Sequence, residues 1–152
     1  MKNYEIDHLV RELKTNTAPV VLFGAKQNGA LAYYALNKLG IKVNYFCDDK
    51  EEVRKKQKFC NVPIISSKEL YNLDQNTNIF ICSYLVEQII SQLKETNFKN
   101  IHNCINLFKN TDFSTIDTGM SFTEVRRRID LYRVECDMAQ KANPISFLLI
   151  KI

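Results

Sequence analysis

The sequence predicts an α/β fold built on a parallel sheet, and three observations carry the prediction. Residues 20–49 read as an apolar strand, a glycine-bounded turn, a helix, a second apolar strand and two acids. Short apolar runs and helical patterns then alternate as far as Leu107, an order that calls for parallel strands joined by right-handed crossovers. The run at residues 20–23 is apolar without alternation, as expected of a strand covered on both faces, and residues 78–84 read as a third buried strand. The expectation is a Rossmann-like doubly wound sheet of about four to five strands, followed by a long helix and an apolar tail.

The elements follow in order. Residues 4–14 form an amphipathic helix with Tyr4, Leu9, Val10 and Leu13 on its packing face. Pro19 ends a linker just before the first strand, where its missing N–H does least harm. Gly24 and Gly29 bracket the turn, and Leu31, Tyr34, Ala35 and Leu39 then recur at near-helical spacing, with Gly40 as the cap. Ile41, Val43, Tyr45 and Phe46 lead to Asp48 and Asp49. Residues 50–62 hold no period and read as an exposed connection. Pro63, Ile64 and Ile65 are extended, and Ser66 with Glu69 makes a capping box for a short helix. Val86, Ile89, Ile90 and Leu93 share a helical face, and residues 101–107 read as a further strand.

Past this point the pattern changes. Residues 109–119 are loop-like. Ser121 and Glu124 box the start of a long helix whose stripe is Phe122, Val125, Ile129, Tyr132, Cys136 and Ala139. Asn143 and Pro144 end it, and residues 145–152 are apolar and strand-like. An unpaired apolar edge invites association, so a further segment is expected to follow it. The domain reading is therefore 1–108 for nucleotide binding and 109–152 for docking, oligomerisation or the lead-in to another domain.

Composition narrows the class. With 152 residues, 45% hydrophobic and 25% charged, the chain is one globular domain, or one with an appendage. The net charge of +4 is mild. The cluster Arg54, Lys55, Lys56 and Lys58 reads as a solvated loop rather than a nucleic-acid surface. Five scattered cysteines without CxxC spacing suggest neither zinc nor a disulfide framework, and fit a reducing cytoplasm. The charged N-terminus is no signal peptide, and no apolar run approaches the roughly 20 residues of a membrane span.

The turn Gly24, Ala25, Lys26, Gln27, Asn28, Gly29 is the dinucleotide fingerprint with lysine at its middle glycine. That glycine ordinarily lets the backbone approach a pyrophosphate. Lys26 either replaces that contact with a charge or blocks it by bulk, and a turn kept only for packing is the plainer reading. The following helix N-terminus offers unpaired N–H groups in any case. Asp48 and Asp49 stand where an acid holds ribose hydroxyls or a base edge, or else simply open a loop. Ser83 and Tyr84 end a strand beside the expected crevice, placed to bind a phosphate or sugar hydroxyl or to cap the next helix. His8 and His102 read as structural, and Cys47 and Cys82 as inert core thiols. No Ser-His-Asp, Cys-His or metal-ligand set can be assembled, so no catalytic residue and no metal are expected.

Three runs, VLFGAKQNG, GIKVNYFCDD and NVPIISSKEL, resemble the N-terminal domain of bacterial nucleotide-sugar acetyltransferases of the left-handed β-helix type. In that family the domain holds the nucleotide part of a UDP-sugar. The resemblance implies phosphates near residues 24–29 and a nucleoside near Asp48, Asp49 and Ile64. Lys26, Gln27 and Asn28 replace the family's glycine-glycine-histidine. No hexapeptide repeats follow Leu70, so the acetyltransferase half is not expected here. Similar domains precede methyltransferase and radical SAM domains in surface-polysaccharide clusters, and residues 127–152 resemble the lead-in to a radical SAM barrel.

The functional expectation is a UDP-sugar-binding domain of a larger sugar- or polysaccharide-modifying enzyme, a radical SAM enzyme or a transferase, with no catalytic residues of its own. A catalytic domain beyond Ile152, or a second copy packed through the helix at 121–142 in a homo-oligomer, is its expected partner. Two alternatives stand beside it. One is a small NAD(P)-dependent oxidoreductase, against which Lys26 weighs. The other is a structural or oligomerisation domain with an empty crevice.

Overall fold

Strand β1, Val20–Phe23, is buried along its whole length, so it needs neighbours on both edges and cover on both faces. The computed structural model, which describes residues 4–83 and 86–142, supplies both. On one edge β1 pairs in parallel with β2, Tyr45–Cys47, which pairs in parallel with β4, Val62–Ile65. On the other edge β1 pairs in parallel with β5, Asn78–Ile81, and β5 with β6, Asn100–Asn103. A two-residue strand β3, Lys58–Phe59, lies antiparallel to β4. The sheet therefore has six strands in the order β3-β4-β2-β1-β5-β6. The chain builds outward from β1 on one side and then returns to its other side, so the order reverses between β1 and β5.

Helices fill the connections: α1 at Tyr4–Thr15, α2 at Gln27–Lys38, α3 at Glu51–Arg54, α4 at Ser67–Leu70, α5 at Val86–Leu93, α6 at Ile105–Lys109 and α7 at Phe122–Ala142. The fold is thus α/β with a mostly parallel sheet and a long C-terminal helix. Helix α2 buries Leu31, Ala32, Ala35 and Leu36 and packs on β1, α6 and α7. Gly40, at φ +77°, ends it in the left-handed conformation that a helix stop requires. The box at α4 is complete, with Ser66 Oγ accepting from the Glu69 N–H and Glu69 Oε1 accepting from the Ser66 N–H. Among the described residues no helix is long and apolar enough to cross a membrane.

Three expectations are corrected. Residues 50–62 are more than an exposed connection. Val53 is buried in α3, and a two-residue turn at Cys60 and Asn61, with φ of 50° and 64°, folds β3 against β4. This turn is why the sheet has six strands rather than four or five. Paired positive φ values suit the twist of a tight hairpin, but cysteine is not a residue that announces one.

The run 101–107 is not a single strand. Asn103 Oδ1 accepts the Ile105 N–H at 3.0 Å, ending β6 and starting α6, and a short apolar run looks alike in either state. The stripe of α7 also fails at its start, because Phe122 is 47% exposed. Val125, Tyr132 and Cys136 are buried as the spacing requires, and Ser121 Oγ accepts the Glu124 N–H at 3.2 Å. The strand-like tail falls outside the described residues.

Tyr132 fastens α7 to the sheet. Its hydroxyl donates between Ile81 O and Asn103 Oδ1, each 3.0 Å away, and the residue is 1% exposed. Replacing Tyr132 with Phe leaves the ring's packing but removes the hydroxyl's bond, while Ile81 O keeps the Cys104 N–H and Asn103 Oδ1 the Ile105 N–H. We expect a loss of about 0.5–1.5 kcal/mol, read as a lower urea midpoint at unchanged slope.

Candidate functional site

The site begins where β1 stops. Gly24 turns at φ +122°, and a Cβ there would meet Cys82 O at 3.2 Å, so the ends of β1 and β5 approach closely. Gly29, in the first turn of α2, is tighter still: a Cβ would stand 2.0 Å from Gly24 O. The two glycines interlock and hold the helix start against the strand end. Lys26, the residue before α2, is extended and offers no side-chain cap, so its side chain extends to solvent.

The acids at the end of β2 are tied to backbone. Asp48 Oδ2 accepts the Ala25 N–H at 3.1 Å and Asp48 Oδ1 the Lys50 N–H at 3.0 Å. Asp49 Oδ1 accepts the Ser67 N–H at 2.8 Å, in the first turn of α4. Burial by itself would raise the Asp49 carboxyl. Hydrogen bonds from the Ser67 N–H and hydroxyl and from Gln92 outweigh it and hold the group below its usual value.

Above these groups, at the carboxyl ends of β1 and β5, opens a cavity of about 560 Å³. Its floor includes Gly24, Lys26, Gln27, Asn28, Asp48 and Asp49, with Ser83 at the end of β5. One wall is Gln88, Ile89 and Gln92 of α5, and another is Arg128, Leu131, Tyr132 and Glu135 of α7. Lys26 and Lys50 share the rim. The Lys50 ammonium, by contact and by charge, holds the Lys26 ammonium below the usual lysine range.

Of the residues singled out from sequence, Gly24, Lys26, Gln27, Asn28, Asp48, Asp49 and Ser83 meet at this cavity. Ala25 is buried, its N–H spent on Asp48. Gly29 serves the interlock below the floor, and Ile64 lies in β4 beside Phe46, away from the cavity lining. Tyr84 falls outside the described residues. His102 is buried and stacked on Phe80 at 4.7 Å, and His8 lies on the surface 3.1 Å from Glu12. Burial, with the charges of Asp49 and Asp48, pushes the Cys47 thiol far above the thiolate range. Among the described residues no His, Cys, Asp and Glu gather in a metal-sized group. One Tyr-x-x-x-Lys spacing does occur, Tyr34 to Lys38, but neither residue lines the cavity.

Sequence reasoning overlooked the α7 wall, although its signal was present. Arg128 lies three residues after Val125 and four before Tyr132, so it shares the inward stripe. A charge on a buried stripe marks a place where the helix faces something polar.

The fold and cavity together define an α/β protein with a cation-rimmed crevice at the carboxyl ends of its central strands. No family model matches the chain, and neither curated proteins nor solved structures match it.

Two outcomes test this construction. Gly29→Ala should cost about 3 kcal/mol or more, because backbone cannot retreat from the new Cβ. Gly119→Ala, at φ +76° with nothing within 4 Å, should cost only the left-handed strain of about 1–2 kcal/mol. Both are read from urea midpoints. The second outcome concerns acid. Because the folded Asp49 carboxyl lies below its unfolded value of about 3.9, its contribution is complete above that pH and is lost as pH falls through the folded value. Asp49→Asn should therefore be less stable than the wild type at neutral pH and should lose less stability on going below about pH 4.

Proposed function

We propose that the chain is a Rossmann-like, doubly wound nucleotide-binding domain that holds a nucleotide-sugar, a UDP-sugar first, for a larger sugar- or polysaccharide-modifying enzyme. The observation that carries this reading is the position of the cavity. It opens at the carboxyl ends of parallel strands where the strand order reverses, the place where open α/β sheets take their ligands. Its volume of about 560 Å³ lies within the range of small-molecule sites.

The rim supports phosphate binding. Lys26 and Lys50 bring positive charge to the start of α2, whose own N–H groups favour an anion. Lysine at the middle glycine position thus supplies charge where the usual turn supplies close backbone approach. Each oxygen of Asp48 accepts one backbone hydrogen bond and keeps a lone pair for a ribose hydroxyl. The resemblance to the nucleotide-sugar acetyltransferase domain points the same way. In this reading the domain binds rather than converts. Val134 and Met138 lie exposed along α7 as the face toward a catalytic partner or a second copy, and cytoplasmic placement belongs to the same proposal.

Thermal-shift titration with UDP-sugars, NAD and S-adenosylmethionine tests the reading. A UDP-sugar at about a hundred times its Kd should add about 2.7 kcal/mol of stability, and Lys26→Glu should abolish that gain without unfolding the chain. Stabilisation by NAD alone would install the dinucleotide oxidoreductase instead. Silence towards every compound would leave a structural domain.

A further inference from the structure

Arg128 is a long cation on a stripe otherwise occupied by Val125 and Tyr132, which are 2% and 1% exposed. Its side chain is accordingly drawn in over the cavity and retains 24% exposure. Its Nε is fully covered. It lies 3.0 Å from Glu124 Oε1 in an ion contact. Glu124 is already engaged by Arg127, whose Nε and Nη2 donate to its two oxygens at 2.9 Å each. Arg128 is thus a guanidinium paired with a carboxylate that Arg127 also holds, at the wall of a cavity. That planar fork matches an oxyanion in two-pronged fashion. One helical turn past Leu131, Glu135 lines the same wall and offers an acceptor for a hydroxyl.

We propose that α7 completes the binding site through Arg128, and that the ligand carries two anionic groups: one over the turn at Lys26 and Lys50, the other against Arg128. The proposal rests on the nucleotide-sugar reading and extends it. The second oxyanion is the β-phosphate of a nucleoside diphosphate or a carboxylate on the sugar it carries, which are the same chemistry to a guanidinium. A nucleoside monophosphate engages only the first subsite.

Calorimetric titration of the full chain and of Arg128→Gln with UMP, UDP, UDP-glucose and UDP-glucuronate tests this. In the wild type, UDP should bind more tightly than UMP if the second group is a phosphate. If it is a carboxylate, UDP-glucuronate should bind more tightly than UDP-glucose. Arg128→Gln should cost the favoured ligand about tenfold or more while UMP stays unchanged. Arg128→Lys should recover only part, since an ammonium lacks the fork. Equal loss for UMP and the favoured ligand would reduce Arg128 to a general structural role and overturn the two-anion site. Unchanged binding in a folded Arg128→Gln overturns the inference and leaves the nucleotide-sugar reading intact. A wild type that binds none of the four overturns both. Should Arg128→Gln fail to fold, Arg128→Lys against the wild type makes the same comparison, and equal affinities for the favoured ligand there also overturn the proposal.

Discussion

The contact between Gly29 and the carbonyl of Gly24 is the constraint on which the remaining site geometry depends. A hydrogen atom in place of a side chain lets the first turn of α2 sit on the end of β1, with no room for a methyl group. That seat fixes the direction in which the helix leaves the sheet, with Gln27 and Asn28 of its first turn at the crevice. It also fixes the path of residues 25–28, from which Lys26 extends outward. At the same point Gly24 brings β1 close to the end of β5, so the crevice floor is narrow and rigid.

Charge in the crevice is divided between scaffold and rim. Both acids accept backbone hydrogen bonds. Asp48 ties the turn after β1 to the loop after β2, and Asp49 ties β2 to the start of α4. These bonds hold three connections in register around one opening. Lys26 and Lys50 crowd each other at the rim, and Arg128 reaches in from α7 with Glu124 as a shared counter-ion. The result is an acidic frame beside a positive rim.

Helix α7 gives the crevice its third wall, and its attachment is specific. The hydroxyl of Tyr132 reaches backbone on β5 and the side chain that ends β6. Asn103 accepts from both Tyr132 and the Ile105 N–H and donates to Cys136 Sγ at 3.4 Å. The last residue of β6 thereby becomes the junction between sheet, α6 and α7. Away from the cavity α7 keeps Val134 and Met138 in solvent, so one helix serves both the cavity and an outer surface.

The sequence by itself determined what short-range rules govern. Unbroken apolar runs marked β1 and β5, glycines marked the turn and the stop of α2, and Ser66 with Glu69 marked α4. Each of these signals acts over a few residues and survives in any surroundings. The hairpin at Cys60 and Asn61, the switch from β6 to α6 and the exposure of Phe122 were hidden because their local signals are ambiguous or are overridden by packing. Within the site, the glycine turn and the acids were legible as positions, but their use was not. Whether a carboxylate faces a ligand or a backbone N–H depends on a neighbour 23 residues away for Asp48. The wall formed by α7 depends on a tyrosine bonded across 51 residues. Tertiary structure alone decided these matters, because lone pairs and cavity walls are allotted only when distant segments compete for the same space.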